Sequence, residues 1–239
     1  MMADSKRGEA ETFLAEISHL NSDLINSQRE LAGKNAELVL LSAGKSALLQ
    51  EFQHRTKNSL GMISSMIHLM SEESGPPETK VALAQLDARV MSVAELYTLL
   101  YSSGSFTEIR LDEYCVKIAS VLVGLRAGIS LVSEMEPVVV SVIRAAPIGL
   151  IVTELITNSL KYAFPDGRKG RVGLSLRIRK DRAILEVRDD GVGIPNGFDP
   201  AGDHGTGIML VKGLSRQVDG KFFMEGSEAG TSCTLELPV

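Results

Sequence analysis

Residues 9–72 contain no proline and carry an apolar residue every seventh position, at Ile17, Leu24, Leu31 and Leu38. A heptad of this kind makes one long helix that cannot bury its seam alone, so it predicts a coiled-coil stalk with a second strand. Asn21, Gln28 and Asn35 fall at the intervening core positions, where polar side chains weaken a coiled coil but fix its register and strand number. Farther on the apolar phase shifts through Leu41, Leu48, Phe52, Ile63, Ile67 and Met70. Such a shift suits a passage from a two-stranded stalk into a wider bundle.

Ser74-Gly75-Pro76-Pro77 ends the helix, because proline cannot continue one and glycine commonly caps one. A second amphipathic helix is expected over 78–101, through Val81, Leu83, Leu86, Val90, Val93, Leu96, Leu99 and Leu100. Two helices cannot bury both apolar faces by themselves. A homodimeric four-helix bundle would bury them, the competing arrangement being packing on the rest of the same chain.

Beyond about residue 104 the pattern changes to short alternating segments. Residues 111–125 read as a helix, 129–135 and 138–143 as short strands around Glu136-Pro137, and 146–164 as a helix with Pro147 in its first turn. Residues 171–180 and 183–190 alternate across a tight turn at Lys180-Asp181-Arg182, as a hairpin should. A glycine-rich loop, a helix over 206–218 and two final strands complete an α/β sandwich with its helices on one face. The expected architecture is thus α + α/β. It divides into a stalk (1–44), a helical-hairpin dimerisation domain (45–103) and the sandwich (104–239).

The helix after Pro147 carries Glu154, Asn158, Lys161 and Tyr162, at spacings that place all four on one α-helical face. Asn158 offers an oxygen ligand to a hydrated magnesium ion, which takes few protein ligands; Lys161 offers a cation to phosphate, and Tyr162 a flat ring. The bland alternative is a solvated polar face. Next, Asp189 ends a strand before Gly191 and Gly193, where a carboxylate can accept a hydrogen bond from an exocyclic amine and glycine lets the backbone approach a ligand. Alone, Asp-Gly also marks ordinary turns. Finally Gly205, Thr206 and Gly207 open a helix whose first amides form an anion site. The intervening segment, 196–203, reads as a lid.

"ELITNSLKYAF", "DDGVGIP", "GTGIMLVKGLSRQVDGKF" and "GTSCTLELPV" in that order resemble the Bergerat-type ATP-binding domain shared by histidine kinases, gyrase, Hsp90 and the mismatch-repair ATPases. The resemblance covers 108–239. It implies ATP and Mg2+ as cofactors, Asn158 on the metal, Asp189 on adenine, and Gly205, Thr206 and Gly207 on the phosphates. Glu154, Lys161, Tyr162 and Thr231 match further motif positions.

"HRTKN", with His54, Arg55 and Asn58 on the first bundle helix, resembles the atypical sensor histidine kinases named for a His-Arg-x-x-Asn motif. The resemblance implies that His54 accepts the phosphoryl group of ATP and an aspartate of a response regulator then takes it. Neutral imidazole is nucleophilic without prior removal of a proton by a strong base. Commoner histidine kinases carry an acidic residue after the histidine. Arg55 cannot serve as a base, so Glu51, one turn earlier, is the candidate, the alternative being proton loss after transfer. Asn58, one turn later, is the candidate for orienting a water against the phosphorylated regulator.

A net charge of −5 argues against a general nucleic-acid binder. Cys115 and Cys233 are too few and too far apart for a disulfide framework, which makes a reducing cytoplasm the default. No apolar run approaches the roughly 20 residues needed to span a membrane. Input is therefore expected from an upstream sensor domain or a sensory partner protein. A phosphotransfer scaffold with a vestigial ATP domain is the alternative, distinguished by loss of ATP binding. An anti-sigma-type serine kinase is another, and it would lack an acceptor histidine.

Overall fold

The computed structural model describes residues 2–73, 75–102, 107–194, 205–227 and 229–238. The chain forms two compact units, Met1–Phe52 and Gln53–Val239.

Helix α1 runs Met2–Glu73 and α2 runs Pro77–Ser102, with Pro77 as the first helical residue, where its missing N–H costs nothing. In the first unit Leu24, Leu31 and Leu38 are 57–62% exposed, so at these positions the heptad seam is uncovered among the described residues. The side chain of Ile17 lies outside the described residues.

In the second unit Ser64 Oγ donates to Asp87 Oδ1, joining the two hairpin helices, and Ile67 is buried. The C-terminal half of α2 turns away from a purely hairpin role. Leu96 and Leu100 are buried in the same core as Leu111, Tyr114 and Ile148, which belong to the α/β layer. Part of α2 therefore packs on its own chain, contrary to a burial wholly between hairpins. Met62, Ile63, Met66, Leu69, Met70, Val81, Leu86 and Met91 stay exposed, an apolar surface too extensive to be scattered surface hydrophobes.

The remaining elements are β1 (Glu108–Arg110), α3 (Leu111–Gly124), β2 (Ile129–Met135), β3 (Val139–Ser141), α4 (Val142–Asn158), β4 (Gly170–Arg179), β5 (Arg182–Asp189), α5 (Gly205–Gln217), β6 (Lys221–Ser227) and β7 (Gly230–Pro238). β2, β4, β5, β7 and β6 make a five-stranded sheet in that order, β2 parallel to β4 and the rest antiparallel. Val172, Leu174 and Leu176 on β4 and Ala183, Leu185 and Val187 on β5 face the core, as the period-2 pattern requires.

Two expectations need correction. The segment 138–143 is not one strand: β3 stops at Ser141 and α4 begins at Val142, so Pro147 sits inside the helix rather than in its first turn. The backbone bond that proline forfeits would have gone to Ile143, which is exposed at the helix start, so the loss is mild. β3 also pairs with β1, not with the main sheet. The second correction concerns apolar length. Val142–Ala163 is long and apolar enough to cross a membrane by composition, but it is the central core helix, with Ile148, Ile151, Val152 and Ile156 fully buried.

Tyr114 locks α2 to this helix. Its hydroxyl donates to the Ser92 carbonyl at 3.0 Å, it is fully buried, and its ring lies where Gly149 leaves space. A Cβ on Gly149 would fall 2.2 Å from the Tyr114 oxygen. Overpacking of this kind costs about 1–3 kcal/mol, so Gly149→Ala is expected to lower Tm by roughly 2–10 °C in a thermal melt. The two cysteines are free and buried. Burial, aided by Asp189, pushes the Cys233 thiol up to about 12, and burial raises Cys115 as well, so both behave as inert core residues.

Candidate nucleotide pocket and histidine helix

Asp189 ends β5 and is 3% exposed. Its Oδ1 accepts the backbone N–H groups of Gly191 and Thr231, both at 3.1 Å, and its Oδ2 accepts the Ser159 hydroxyl at 2.9 Å. Three donors satisfy both oxygens of a carboxylate whose burial would otherwise be costly. Thr231 thus enters the site through its amide.

The two glycines after Asp189 are there for space and backbone angle. A Cβ on Gly191 would sit 2.3 Å from that of Ala163, and Gly193 has φ +73° with the Ser227 carbonyl 1.9 Å from where a Cβ would stand. Val192 N–H closes the turn on the Ala163 carbonyl at 3.0 Å. Asp190 points the other way, to Arg171. Burial alone would raise its carboxyl, but the Arg171 N–H, guanidinium and charge together hold it below the usual carboxylate range.

α4 ends at Asn158 and continues into a π-helical turn, Ser159–Ala163. This wider turn changes the register after Asn158, so Lys161 and Tyr162 lie on a π-helical turn rather than on a regular continuation of α4. The cause is tertiary. Arg126 donates to the carbonyls of Leu160 and Phe164, and Ala163 accepts from Val192, replacing the α-helical pattern at this end. Lys161 and Tyr162 are exposed, with the ammonium 4.8 Å from the ring centroid. The same turn delivers Ser159 to Asp189.

The other end of the pocket is where α5 begins. Gly205 and Thr206 form its first turn; the Thr206 side chain, residues 196–203 and His204 lie outside the described residues. A Cβ on Gly207 would lie 2.9 Å from Glu154 Oε2 and 3.8–3.9 Å from the Asn158 amide, so this glycine admits the helix start against both. Asn158 is half-buried, and no described residue hydrogen-bonds its amide, which leaves it available as an oxygen ligand. Glu154 is 3% exposed and accepts from Arg89 Nε at 2.6 Å. Spacing alone gave Ser159 and Arg89 no role. Ser159 depends on the π-turn, and Arg89 comes from a helix 65 residues away.

On α1, His54, Asn58, Arg55 and Lys57 are all exposed, and the helix runs unbroken through them. His54 and Asn58 are one turn apart on one face. Glu51 is exposed and belongs to the first compact unit.

A histidine kinase family model matches residues 51–125, and that of the histidine kinase-, DNA gyrase B- and HSP90-like ATPases matches 144–239. Sensor histidine kinase PdtaS of Mycobacterium tuberculosis is 29% identical over 218 residues, which cover 86% of this chain and 42% of that protein. Blue-light-activated histidine kinase 2 of Erythrobacter litoralis is 31% identical over 198 residues, 80% of this chain and 57% of that one. The chain thus spans about half the length of these relatives. The solved histidine kinase domain of an Erythrobacter litoralis blue-light activated kinase superposes with a TM-score of 0.60 at 30% identity, covering 81% of this chain and 91% of that domain. The His54 segment falls inside one matched region and the Asn158–Asp189–Gly207 pocket inside the other, and the chain belongs to the histidine kinase family.

Proposed function

We propose that this protein is an ATP-dependent histidine kinase that phosphorylates His54 and hands the phosphoryl group to an aspartate of a response regulator. The observation that carries this reading is the buried, triply held Asp189 at one end of a pocket whose other end is the glycine start of α5 beside Asn158. The first recognises an amine on a base edge. The second offers amides to phosphates.

Asn158 fits magnesium, whose binding there would neutralise phosphate charge. Lys161 and the α5 amides add further positive potential. A ring nitrogen of His54 forms the new N–P bond as the P–O bond to ADP breaks. The imidazole proton passes to Glu51 or, after transfer, to water. Arg55 and Lys57 offer charge to the arriving phosphoryl group.

The uncovered heptad seam and the exposed methionines and leucines of the hairpin support a homodimer, with the stalk helix relaying input from an upstream sensor domain or sensory partner. The buried, unpaired thiols support a reducing cytoplasm. The test is incubation with labelled ATP and magnesium: acid-labile, base-stable label on the chain supports the reading, its absence together with absent ATP binding favours the phosphotransfer-scaffold alternative, and its absence despite proven ATP binding overturns the kinase reading.

Asn58 is the proposed water-orienting residue for the reverse task. Asn58→Ala is expected to slow dephosphorylation of the labelled regulator by about tenfold or more, as loss of one oriented polar group does, while His54 labelling persists. An unchanged decay of regulator phosphate dismisses that role.

A further inference from the structure

Arg89 belongs to none of the motifs above, yet it reaches the phosphate end of the pocket from α2. Its Nε donates to Glu154 Oε1 at 2.6 Å, with 29% of the Arg89 side chain and 4% of the Glu154 side chain exposed. The other carboxylate oxygen, Oε2, lies 2.9 Å from where a Cβ on Gly207 would stand, in the first turn of α5. Asn158 borders the same point at 3.8–3.9 Å. Among the described residues no acceptor meets the Nη groups of Arg89.

Two physical facts bear on this arrangement. A carboxylate this close to an anion site would repel a triphosphate unless a cation neutralised it. A guanidinium that spends Nε on the carboxylate keeps its two Nη groups in a planar fork suited to phosphate oxygens. The ion pair is also not needed to dock α2, because Leu96, Leu100 and the Tyr114–Ser92 hydrogen bond already do so.

We propose that Arg89 is a further nucleotide-binding residue, delivered from the hairpin: Nε stays on Glu154 while the Nη groups bind the terminal phosphate of ATP. The inference rests on the reading of this domain as an ATP pocket. It makes the hairpin helix sense whether the nucleotide is a triphosphate or a diphosphate, since ADP lacks the group that Arg89 holds.

The experiment is a titration of the full chain with ATP and with ADP, each with magnesium, in wild type, Arg89→Gln and Arg89→Lys. Losing a charge-assisted contact weakens binding by about tenfold or more, so Arg89→Gln should bind ATP that much less tightly while ADP affinity stays within about threefold. Arg89→Lys, which keeps the charge without the fork, should fall between. ADP affinity doubles as the check that the pocket is folded. Equal weakening of ATP and ADP in Arg89→Gln assigns the pair to architecture and overturns the proposal, as does wild-type ATP affinity there. Wild-type protein that binds neither nucleotide removes the pocket reading itself.

Discussion

His54→Ala, incubated with labelled ATP and magnesium, is expected to take up no acid-labile phosphate, a loss on the order of a thousandfold or more against wild type. The size of the effect follows from the chemistry. A covalent acceptor contributes the bond that forms, and Asn58, the neighbour on the same helix face, carries an amide that is a poor nucleophile and cannot replace it. Folding is not at issue, because His54 is exposed in an unbroken α1 and alanine is the best helix former. The informative controls are His68→Ala and His19→Ala, both at exposed positions on α1 and both expected to label normally. Label that persists in His54→Ala and vanishes in His68→Ala would move the acceptor two heptads along the helix. Label that persists in all three would take the acceptor off the histidines of α1.

How far the sequence anticipates the molecule depends on the range of the interactions involved. Heptads, proline breaks and period-2 strands are local, and they locate α2, β4, β5 and the C-terminal end of α1 to within a residue or two, while the start of α1 at Met2 lies seven residues before the reading. Asp189 and the glycines after it were legible for the same reason: a carboxylate at a strand end followed by Gly191 and Gly193 states its geometry within five residues. What escaped was set by contacts distant in sequence. The π-turn at Ser159–Ala163 exists because Arg126, 34 and 38 residues back, draws the carbonyls of Leu160 and Phe164 out of the α-helical pattern. A 3.6-residue periodicity has no means of registering that, so residues 159–163 were read as regular α-helix and Ser159 was passed over.

The hairpin shows the same division from the other side. Its apolar periodicity identifies two helices correctly but not what each face meets. Leu96 and Leu100 are indistinguishable in pattern from Leu86 and Met91, yet the first pair is buried in the α/β core and the second is exposed. The difference lies in Tyr114 and Gly149, a large ring and a missing side chain on two other helices, whose complementarity only the folded chain brings together.

Asp189→Asn should fold and yet lose nucleotide. Oδ1 accepts two backbone N–H groups, so the asparagine must keep its carbonyl oxygen there; the reverse orientation would set an NH2 against two donors. The NH2 then replaces Oδ2. Ser159 tolerates this, because its hydroxyl rotates from donor to acceptor at the same 2.9 Å separation. The backbone scaffold of the pocket therefore survives, and thermal stability should change little. The face offered to a base edge is what inverts, an acceptor becoming a donor, so an exocyclic amine meets a donor and forfeits a charge-assisted hydrogen bond. Such a bond is worth about 1.5–3 kcal/mol, and an unmatched donor pair adds to that, which predicts ATP affinity falling by roughly a hundredfold. The same loss removes the rise in Tm that saturating ATP gives the wild type. Titration and melting read the two effects independently. An Asp189→Asn protein that melts like wild type and still binds ATP tightly would mean that the base is read elsewhere, and that Ser159 and the two amides hold Asp189 for the sake of the backbone at the end of the β5–β7 pairing alone.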